Sequence, residues 1–344
     1  MTRKRKWMLG VGLAAASGLA AIGAYAATHL TEIKAIYAAR QLRHAATDDD
    51  RAKAANDLAA LGEPGLKRLV GFATSDDDAQ RAAAVGAIEQ SLGEIQSGDP
   101  RAGTIGSQLL DRFGGCDEKG KRAILALLPS VLAKAGATHA AKCQEAASVG
   151  LRMSDPAGRV LAIRLAIHPE VNLRREVVPL LAAAEPEVRR AALFAVATSS
   201  ERELVSDEEL FRWLHDPDEG VRRVCLDALV ARERTDAEIM LGRRLTSPDP
   251  GERLKLILDL RYDDDVADPE PWLERLSRDD EPAVRAAAAR TAIEVARRQR
   301  LACPLWVMRL AQTDADLTVR RVASYFHQQG TSRFDPNVTP AGKQ

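Results

Sequence analysis

DDEPAVRAAAARTAI, residues 279–293, is the stretch that decides the fold, because diverged copies of it return along most of the chain. Its acidic turn and Pro282 end one helix and start the next, since proline disfavours helical geometry in the residue before it and costs little at a helix start. On a helical wheel, Ala288 lies within about 80° of Val284 and extends an apolar stripe. Arg285 lies at about 100°, on the margin of that stripe rather than among the solvated charges.

The same placement recurs in three arginine pairs, at Val188-Arg189-Arg190, Val221-Arg222-Arg223 and Val319-Arg320-Arg321. The first arginine of each pair lies beside the apolar stripe, and the second lies about 100° further out. A partly buried guanidinium needs an acceptor, because an unpaired buried charge is strongly unfavourable. The turn acids supply candidate acceptors, which are Glu185, Asp216, Asp218, Asp279, Asp280, Asp314 and Asp316.

The wheel thus divides the arginines into an inward and an outward set. We predict that the outward set faces solvent and is available to a partner. Its members are Arg190, Arg223, Arg290, Arg297, Arg298 and Arg321.

The arginine near the start of each copy recurs along the chain at a fairly constant interval. Intervals of 30 to 41 residues separate Arg51, Arg81, Arg122, Arg159, Arg189, Arg222, Arg253, Arg285 and Arg320. A period in the thirties with two helices in each is typical of an α-solenoid. No alternating apolar and polar run of strand length competes with this interpretation. We therefore predict an all-α fold, an α-solenoid of about eight to nine antiparallel helix pairs.

The turn and second helix at residues 185–193, EPEVRRAAL, resemble HEAT repeats in their short bacterial form, also called PBS-lyase-like repeats. The resemblance covers about residues 30–329. It implies that turn acids and second-helix arginines stack as a ladder between successive repeats. Its members here would be Arg189, Arg222, Arg253, Arg285 and Arg320 with Asp216, Asp280 and Asp314. Arg253 departs from the pattern because Glu252 replaces the valine before it, and the copies before residue 140 lack most of the pattern.

The sequence divides into four segments. Residues 1–27 are a membrane anchor or signal peptide, 28–138 are diverged helical repeats, 139–330 are regular repeats, and 331–344 are a disordered tail. The first predicted helix, over 28–46, has Ile33, Ile36, Tyr37 and Leu42 on one side. In the diverged part, glycines are expected to loosen the first helix of the unit at 100–136.

The N-terminal segment predicts export. Residues 3–6 read RKRK and precede an uncharged run over 7–27, which is long enough to cross a bilayer core of roughly 30 Å as a helix. We favour a retained single-pass anchor in the cytoplasmic membrane with the repeats outside, under the positive-inside rule. The alternative is cleavage near Ala26, where small residues suit a signal peptidase.

Residues that would mark an active site are scattered. The chain has no phosphate-binding glycine loop, no zinc-protease motif and no nucleophile elbow. His139 and Cys143 stand four apart on a possible helix, but no further metal ligands flank them. Cys116 and Cys143 are the candidates for a disulfide in an oxidising compartment. We predict no catalytic residue, no metal and no cofactor.

Net charge is zero, with 49 basic and 49 acidic residues, yet charge is uneven near the C-terminus. Residues 263–281 carry nine acids against two arginines, whereas 282–334 carry nine arginines against three acids. Nucleic acid is an improbable partner, because base-stacking aromatics are nearly absent from this end.

Three functions remain open. The leading one is a non-enzymatic scaffold that binds another protein. The second is an anionic ligand at the basic C-terminal end, such as an acidic peptide, a polysaccharide or a lipid head group. The third, implied only by the resemblance, is a lyase-like or enzyme-accessory repeat protein.

Overall fold

The computed structural model describes residues 30–198, 201–262 and 268–331, with side chains through residue 325, and the secondary structure of this part of the chain is entirely helical. Helix α1 spans residues 30–44. The further α-helices in chain order are α2 Asp48–Ala60, α3 Glu63–Ala73, α4 Asp78–Glu94, α5 Pro100–Phe113, α6 Glu118–Ala135, α7 Ala140–Gly150, α8 Pro156–Ala166, α9 Arg174–Val177, α10 Pro186–Ala197, α11 Asp207–Trp213, α12 Glu219–Ala231, α13 Asp236–Leu245, α14 Pro250–Tyr262, α15 Glu270–Leu276, α16 Pro282–Gln299, α17 Leu305–Thr313 and α18 Leu317–Thr331.

The acidic turns begin helices because their side chains cap exposed backbone N–H groups. The Asp155 carboxylate accepts from the Gly158 N–H at the start of α8, and the Asp218 carboxylate accepts from the Val221 N–H at the start of α12. Each cap satisfies a donor that has no partner inside the helix and places negative charge at the positive end of the helix dipole. The turns predicted from sequence therefore set where the second helix of each pair begins.

The described residues form two compact units, one ending at Leu204 and the other beginning at Val205. In unit 1 each second helix packs on the next one, so α2, α4, α6, α8 and α10 follow one another, and α3 likewise packs on α5 and α5 on α7. Fully buried aliphatic side chains fill the space between these helices, among them Leu42, Leu58, Leu69, Ile88, Leu109, Ile124 and Leu128.

In unit 2, α14 packs on α16 and α16 on α18, while α11 packs on α13. The core under α13 to α18 joins leucines with many alanines, including Leu256, Leu260, Leu273, Ala288 and Ala292. Small side chains let helix axes approach closely, as the alanine-rich stripe of residues 279–293 requires. Val284 and Ala288 are fully buried, as the helical wheel predicted.

The glycines of the first helix in the unit at 100–136 do not interrupt that helix, contrary to the sequence-based expectation. Helix α5 runs without a break from Pro100 to Phe113 through Gly103 and Gly106. A Cβ atom built at Gly106 would lie 2.6 Å from Val131 and 2.8 Å from the His139 ring. The missing side chain therefore makes room for α6 and for His139, so this glycine serves close packing.

Helix α1 has two apolar sides, one of which is buried while the other is exposed. Ala35 and Leu42 are fully buried. Ile33, Ile36 and Tyr37, which the wheel placed on the same side as Leu42, are 61%, 54% and 65% exposed. The buried contact is thus made by small residues, and the larger apolar side chains of α1 face outward.

The predicted anchor at 1–27 lies outside the described residues, as do the acidic turn 263–265 and the predicted tail 331–344 apart from the last residue of α18. Among the described residues, the stretch 118–150 is long and apolar enough to cross a membrane. It comprises α6 and α7 separated by a short 3₁₀ turn at Gly136–His139, and eight residues of α6 are buried. Burial of this kind is also typical of a core helix in a protein interior.

Candidate interaction site

In several repeats the arginine near the start of the second helix donates to main-chain oxygens of its own turn. Arg222 Nη1 donates to the main-chain oxygens of Asp216 at 2.8 Å and Pro217 at 2.9 Å. Arg189 and Arg285 make the same pair of bonds, to Ala183 and Ala184 and to Asp279 and Asp280 respectively. Carbonyl oxygens of the turn, which lie beyond the end of the preceding helix, thereby gain a charged donor.

In unit 2 two of these arginines also bind an acid of the next turn. Arg253 Nε and Nη2 donate to the two carboxylate oxygens of Asp279 at 2.6 and 2.9 Å. Arg285 Nε and Nη2 bind both oxygens of Asp314 at 2.8 and 2.9 Å. Two parallel bonds of this kind fix the relative position of donor and acceptor more tightly than one. Each such pair joins one helix pair to the next.

The two acceptor acids are also held by their own turns. Asp314 Oδ1 accepts the backbone N–H of Asp316 at 2.8 Å, and Asp279 Oδ1 accepts that of Glu281 at 2.9 Å. The hydrogen bond from Arg285 is the main cause that holds the pKa of Asp314 below its ordinary value of 3.8. The same bond raises the pKa of Arg285 above its ordinary range. Both groups therefore stay charged at neutral pH.

The acceptor position differs by one residue from the predicted one. The sequence placed Asp280 in the ladder, but Arg253 binds the side chain of Asp279. Asp280 is exposed and contributes its main-chain oxygen to Arg285 at 3.0 Å. The reason is the turn itself, in which the first acid points toward the preceding pair while the second lies on the surface.

The corresponding position is not acidic everywhere. Asp216, Asp279 and Asp314 each lie six residues before a ladder arginine, but Ser247 takes this place before Arg253. Arg253 Nη1 still bonds to the Ser247 main-chain oxygen at 2.6 Å. Within the described residues of unit 2, Arg222 forms no ion pair with a carboxylate. The link from α12 to the turn before α14 therefore lacks the fork seen further along.

In unit 1 three of the equivalent arginines pair with other acids. Arg159 Nη2 lies 2.8 Å from Glu185 Oε2, and Arg122 Nη1 lies 3.3 Å from Asp155 Oδ2. Arg81 is buried and pairs with Asp78 of its own turn. The arginine period therefore extends into the diverged part of the chain, although its partners change.

The predicted outward set is placed as follows. Arg190, Arg223, Arg298 and Arg321 are exposed. Arg290 is exposed too and lies 3.0 Å from Glu294 Oε1. Arg297 is half-buried, so its side chain lies less in solvent than the wheel indicated.

Sequence reasoning missed the apolar side chains between these arginines. Leu258 and Tyr262 of α14 are 53% and 65% exposed, and Tyr325 of α18 is 57% exposed. Leu226 and Val230 on α12 are exposed as well. Leu258 and Tyr325 lie five residues after a ladder arginine, the spacing that also places Arg290 outward. That spacing could have identified these exposed positions from the sequence.

The remaining candidates have structural roles. His139 Nε2 lies 2.8 Å from the Gly103 main-chain oxygen, and Cys143 is fully buried. All four cysteines are free thiols. Burial raises the pKa of Cys143 to about 11 and that of Cys225 to about 12, which keeps both thiols protonated. Residues 30–198, 201–262 and 268–331 contain no cluster of side chains suited to a metal ion.

No protein-family model matches the sequence, and the search of curated proteins returns no match. Three solved structures are similar at low identity. YibA from E. coli has a TM-score of 0.44 at 14% identity, with 89% of this chain and 96% of that one covered. A HEAT-like repeat protein from the archaeon Thermococcus onnurineus has a TM-score of 0.38 at 14% identity, with 87% and 97% covered.

The third is a homology model of the full-length AP-3 complex, with a TM-score of 0.40 at 14% identity and 87% of this chain and 54% of that one covered. TM-scores this low carry no assignment of function. The described part of the chain is all helical and is consistent with a HEAT-like repeat fold.

Proposed function

We propose that this protein is a non-enzymatic scaffold of HEAT-like repeats that binds another protein through the exposed sides of α14, α16 and α18. One observation carries the proposal. The inward arginines are occupied by turn oxygens and acids, whereas the outward side of the same helices presents apolar side chains beside arginines that have no part in the ladder. Aromatic side chains and arginine are the residues most enriched in protein interfaces.

The surface on α14 and α16 is already ordered. Arg261 lies over the Tyr262 ring at 5.0 Å from its centroid, and its Nη2 is 2.6 Å from Glu294 Oε2. Glu294 also pairs with Arg290. These contacts fix a polar border next to Leu258 and Tyr262. An apolar anchor inside a polar border is the arrangement that protein interfaces commonly use.

The test is capture of a partner by the full chain from its native cells after cross-linking. Leu258→Glu with Tyr262→Glu should lower recovery of any specific partner at least about tenfold, as expected when an interface anchor is lost. Leu305→Glu is the matched control, because Leu305 is 79% exposed on the first helix of its pair. Equal recovery with both variants would exclude this surface.

Export and anchoring form a further part of the proposal. The basic residues 3–6 and the uncharged run over 7–27 support a single membrane span with the repeats on the outer side. A reporter enzyme that is active only outside the cytoplasm, fused after residue 330, should be active. Release of the fusion from membranes by carbonate would favour cleavage near Ala26, and an inactive reporter would exclude export.

An anionic ligand at the basic C-terminal end is the second candidate. Arg285 and Arg320 of this end are used by their turns, which leaves Arg298, Arg309 and Arg321 exposed. Binding through these side chains would weaken with salt, because exposed charges are screened. A binding constant that does not change between low and physiological salt would rule this candidate out.

A further inference from the structure

Unit 1 contains an open cavity of about 650 Å³ between α1, α3, α4 and the end of α5. Four of its lining residues are basic, namely Arg43, Lys67, Arg68 and Arg112. Two are acidic, Glu32 and Asp76. The four cations come from three different helices, so the fold and not one charged segment brings them together.

These cations differ from the ladder arginines because none of them has an anionic partner. Within the described residues, no carboxylate lies within ion-pair distance of Arg43, Lys67, Arg68 or Arg112. Arg68 is half-buried. The four cations outnumber the two acids of the lining, and like charges that converge repel one another, so a bound anion lowers that cost.

The cavity also has free space beside one of its arginines. A Cβ atom built at Gly71 would meet only Arg112, at 3.8 Å from Nη2. The guanidinium of Arg112 therefore lies beside a helix surface without a side chain. The guanidinium fork matches the oxygens of phosphate, and lysine adds a point charge.

We propose that this cavity binds a phosphate group, with Arg68 and Arg112 as its main ligands and Arg43 and Lys67 as further positive charges. The phosphate could belong to an anionic phospholipid head group or to a soluble phosphate ester. Both share the chemistry that the cavity recognises.

Two features point to the lipid source. The apolar side chains Leu30, Ile33, Ile36 and Tyr37 are exposed on α1, the helix that also supplies Arg43. The uncharged run over residues 7–27 directly precedes this helix in the sequence. An exposed apolar helix side beside basic residues is typical of helices that lie at a membrane surface.

The experiment uses the full chain in an uncharged detergent and has two arms. Native mass spectrometry follows binding of phosphatidylglycerol, with phosphatidylcholine as the zwitterionic comparison. Titration with glycerol phosphate at constant ionic strength tests the soluble source. Arg68→Gln with Arg112→Gln should weaken binding at least about tenfold, the expected loss of two charge-assisted contacts.

Two variants separate a site from general electrostatics. Arg152→Gln with Arg164→Gln removes the same charge from exposed positions of unit 1 and should leave binding unchanged. Gly71→Leu keeps all charges but fills the cavity beside Arg112, and it should weaken binding as the charge variant does. Circular dichroism confirms that each variant is folded.

Loss of binding in the Arg68/Arg112 and Gly71 variants supports the site, and the arm in which it occurs identifies the source. Equal losses in the Arg152/Arg164 control would show that only net charge matters and would overturn the proposal. Absence of binding in both arms by the wild-type chain would overturn it as well. Neither result bears on the protein-binding surface of α14 to α18.

Discussion

Arg159 of unit 1 and Arg285 of unit 2 occupy the same position in their repeats but pair with the next acid differently. In unit 1 a single contact of 2.8 Å joins Arg159 to Glu185, whose side chain is 34% exposed. In unit 2 two bonds join Arg285 to Asp314, whose side chain is 5% exposed. A buried fork fixes geometry, whereas a single contact to a solvated acid constrains it less.

The difference follows from where the acid lies in its turn. Glu185 is four residues before the next ladder arginine and occupies the N-cap position of α10, whereas Asp314 is six residues before Arg320. The earlier position lets the carboxylate accept both the preceding arginine and the backbone N–H of Asp316. A shift of two residues thus decides between a surface ion pair and a structural link.

The largest effect should come from removing a forked arginine. Arg285→Ala leaves the Asp314 carboxylate in a buried site without its partner, and we expect a loss of roughly 3 kcal/mol in the free energy of unfolding. Arg290→Ala, which breaks only an exposed pair with Glu294, should change it by less than about 0.5 kcal/mol. Denaturant unfolding of both variants measures the difference. Similar losses would contradict the distinction between inward and outward arginines.

Acid should weaken the same link. Because the pKa of Asp314 is lowered in the folded state, its contribution is present above the ordinary value of 3.8 and is lost as pH falls through the folded pKa. The stability difference between wild type and Asp314→Asn should therefore be constant from pH 7 to about pH 5 and shrink below about pH 4. A difference that grows on acidification would have the wrong sign for this account.

In unit 1 the corresponding substitution should cost less. Arg159→Ala removes one contact to a partly exposed acid, so its loss of unfolding free energy should be clearly smaller than that of Arg285→Ala. Added salt should reduce the loss further, because the acid is solvated. A loss as large as in unit 2 would show that burial of the acid does not decide the strength of the link.

The smallest effect should come from completing the ladder. Ser247→Asp places an acid six residues before Arg253, where it can accept Arg222 as Asp279 accepts Arg253. We expect a gain of about 0.5 to 1 kcal/mol, which should vanish when Arg222→Ala is combined with it. Destabilisation by Ser247→Asp alone would mean that α12 and the following turn lack the geometry of the later repeats.

Much of the fold follows from local chemistry in the sequence. Proline, acidic caps and an apolar stripe placed the second helices from Pro156 to Pro282 close to where they begin. The ladder arginines were recognisable because a charge at the margin of an apolar stripe needs an acceptor. The sequence could not decide whether Asp279 or Asp280 is the acceptor. The two acids are adjacent, and only the path of the turn orients one of them inward.

The candidate sites depended still more on tertiary contacts. In the sequence, Leu258 and Tyr325 are indistinguishable from the other apolar residues of their helices. Only the structure shows that no neighbouring helix covers them. The basic cavity joins Arg43, Arg68 and Arg112, which are far apart in sequence, so no spacing rule could bring them together. The location of such sites depends on which sides of the helices are covered by neighbouring helices.

A double-mutant cycle on the turn at residues 279 and 280 tests the central claim most directly. Single and double variants of Arg253→Ala with Asp279→Ala, and of Arg253→Ala with Asp280→Ala, are compared by denaturant unfolding. We predict a coupling of about 1 to 3 kcal/mol for Arg253 with Asp279 and nearly none for Arg253 with Asp280. Equal couplings, or a larger one for Asp280, would contradict the account in which the first acid of the turn links one helix pair to the next.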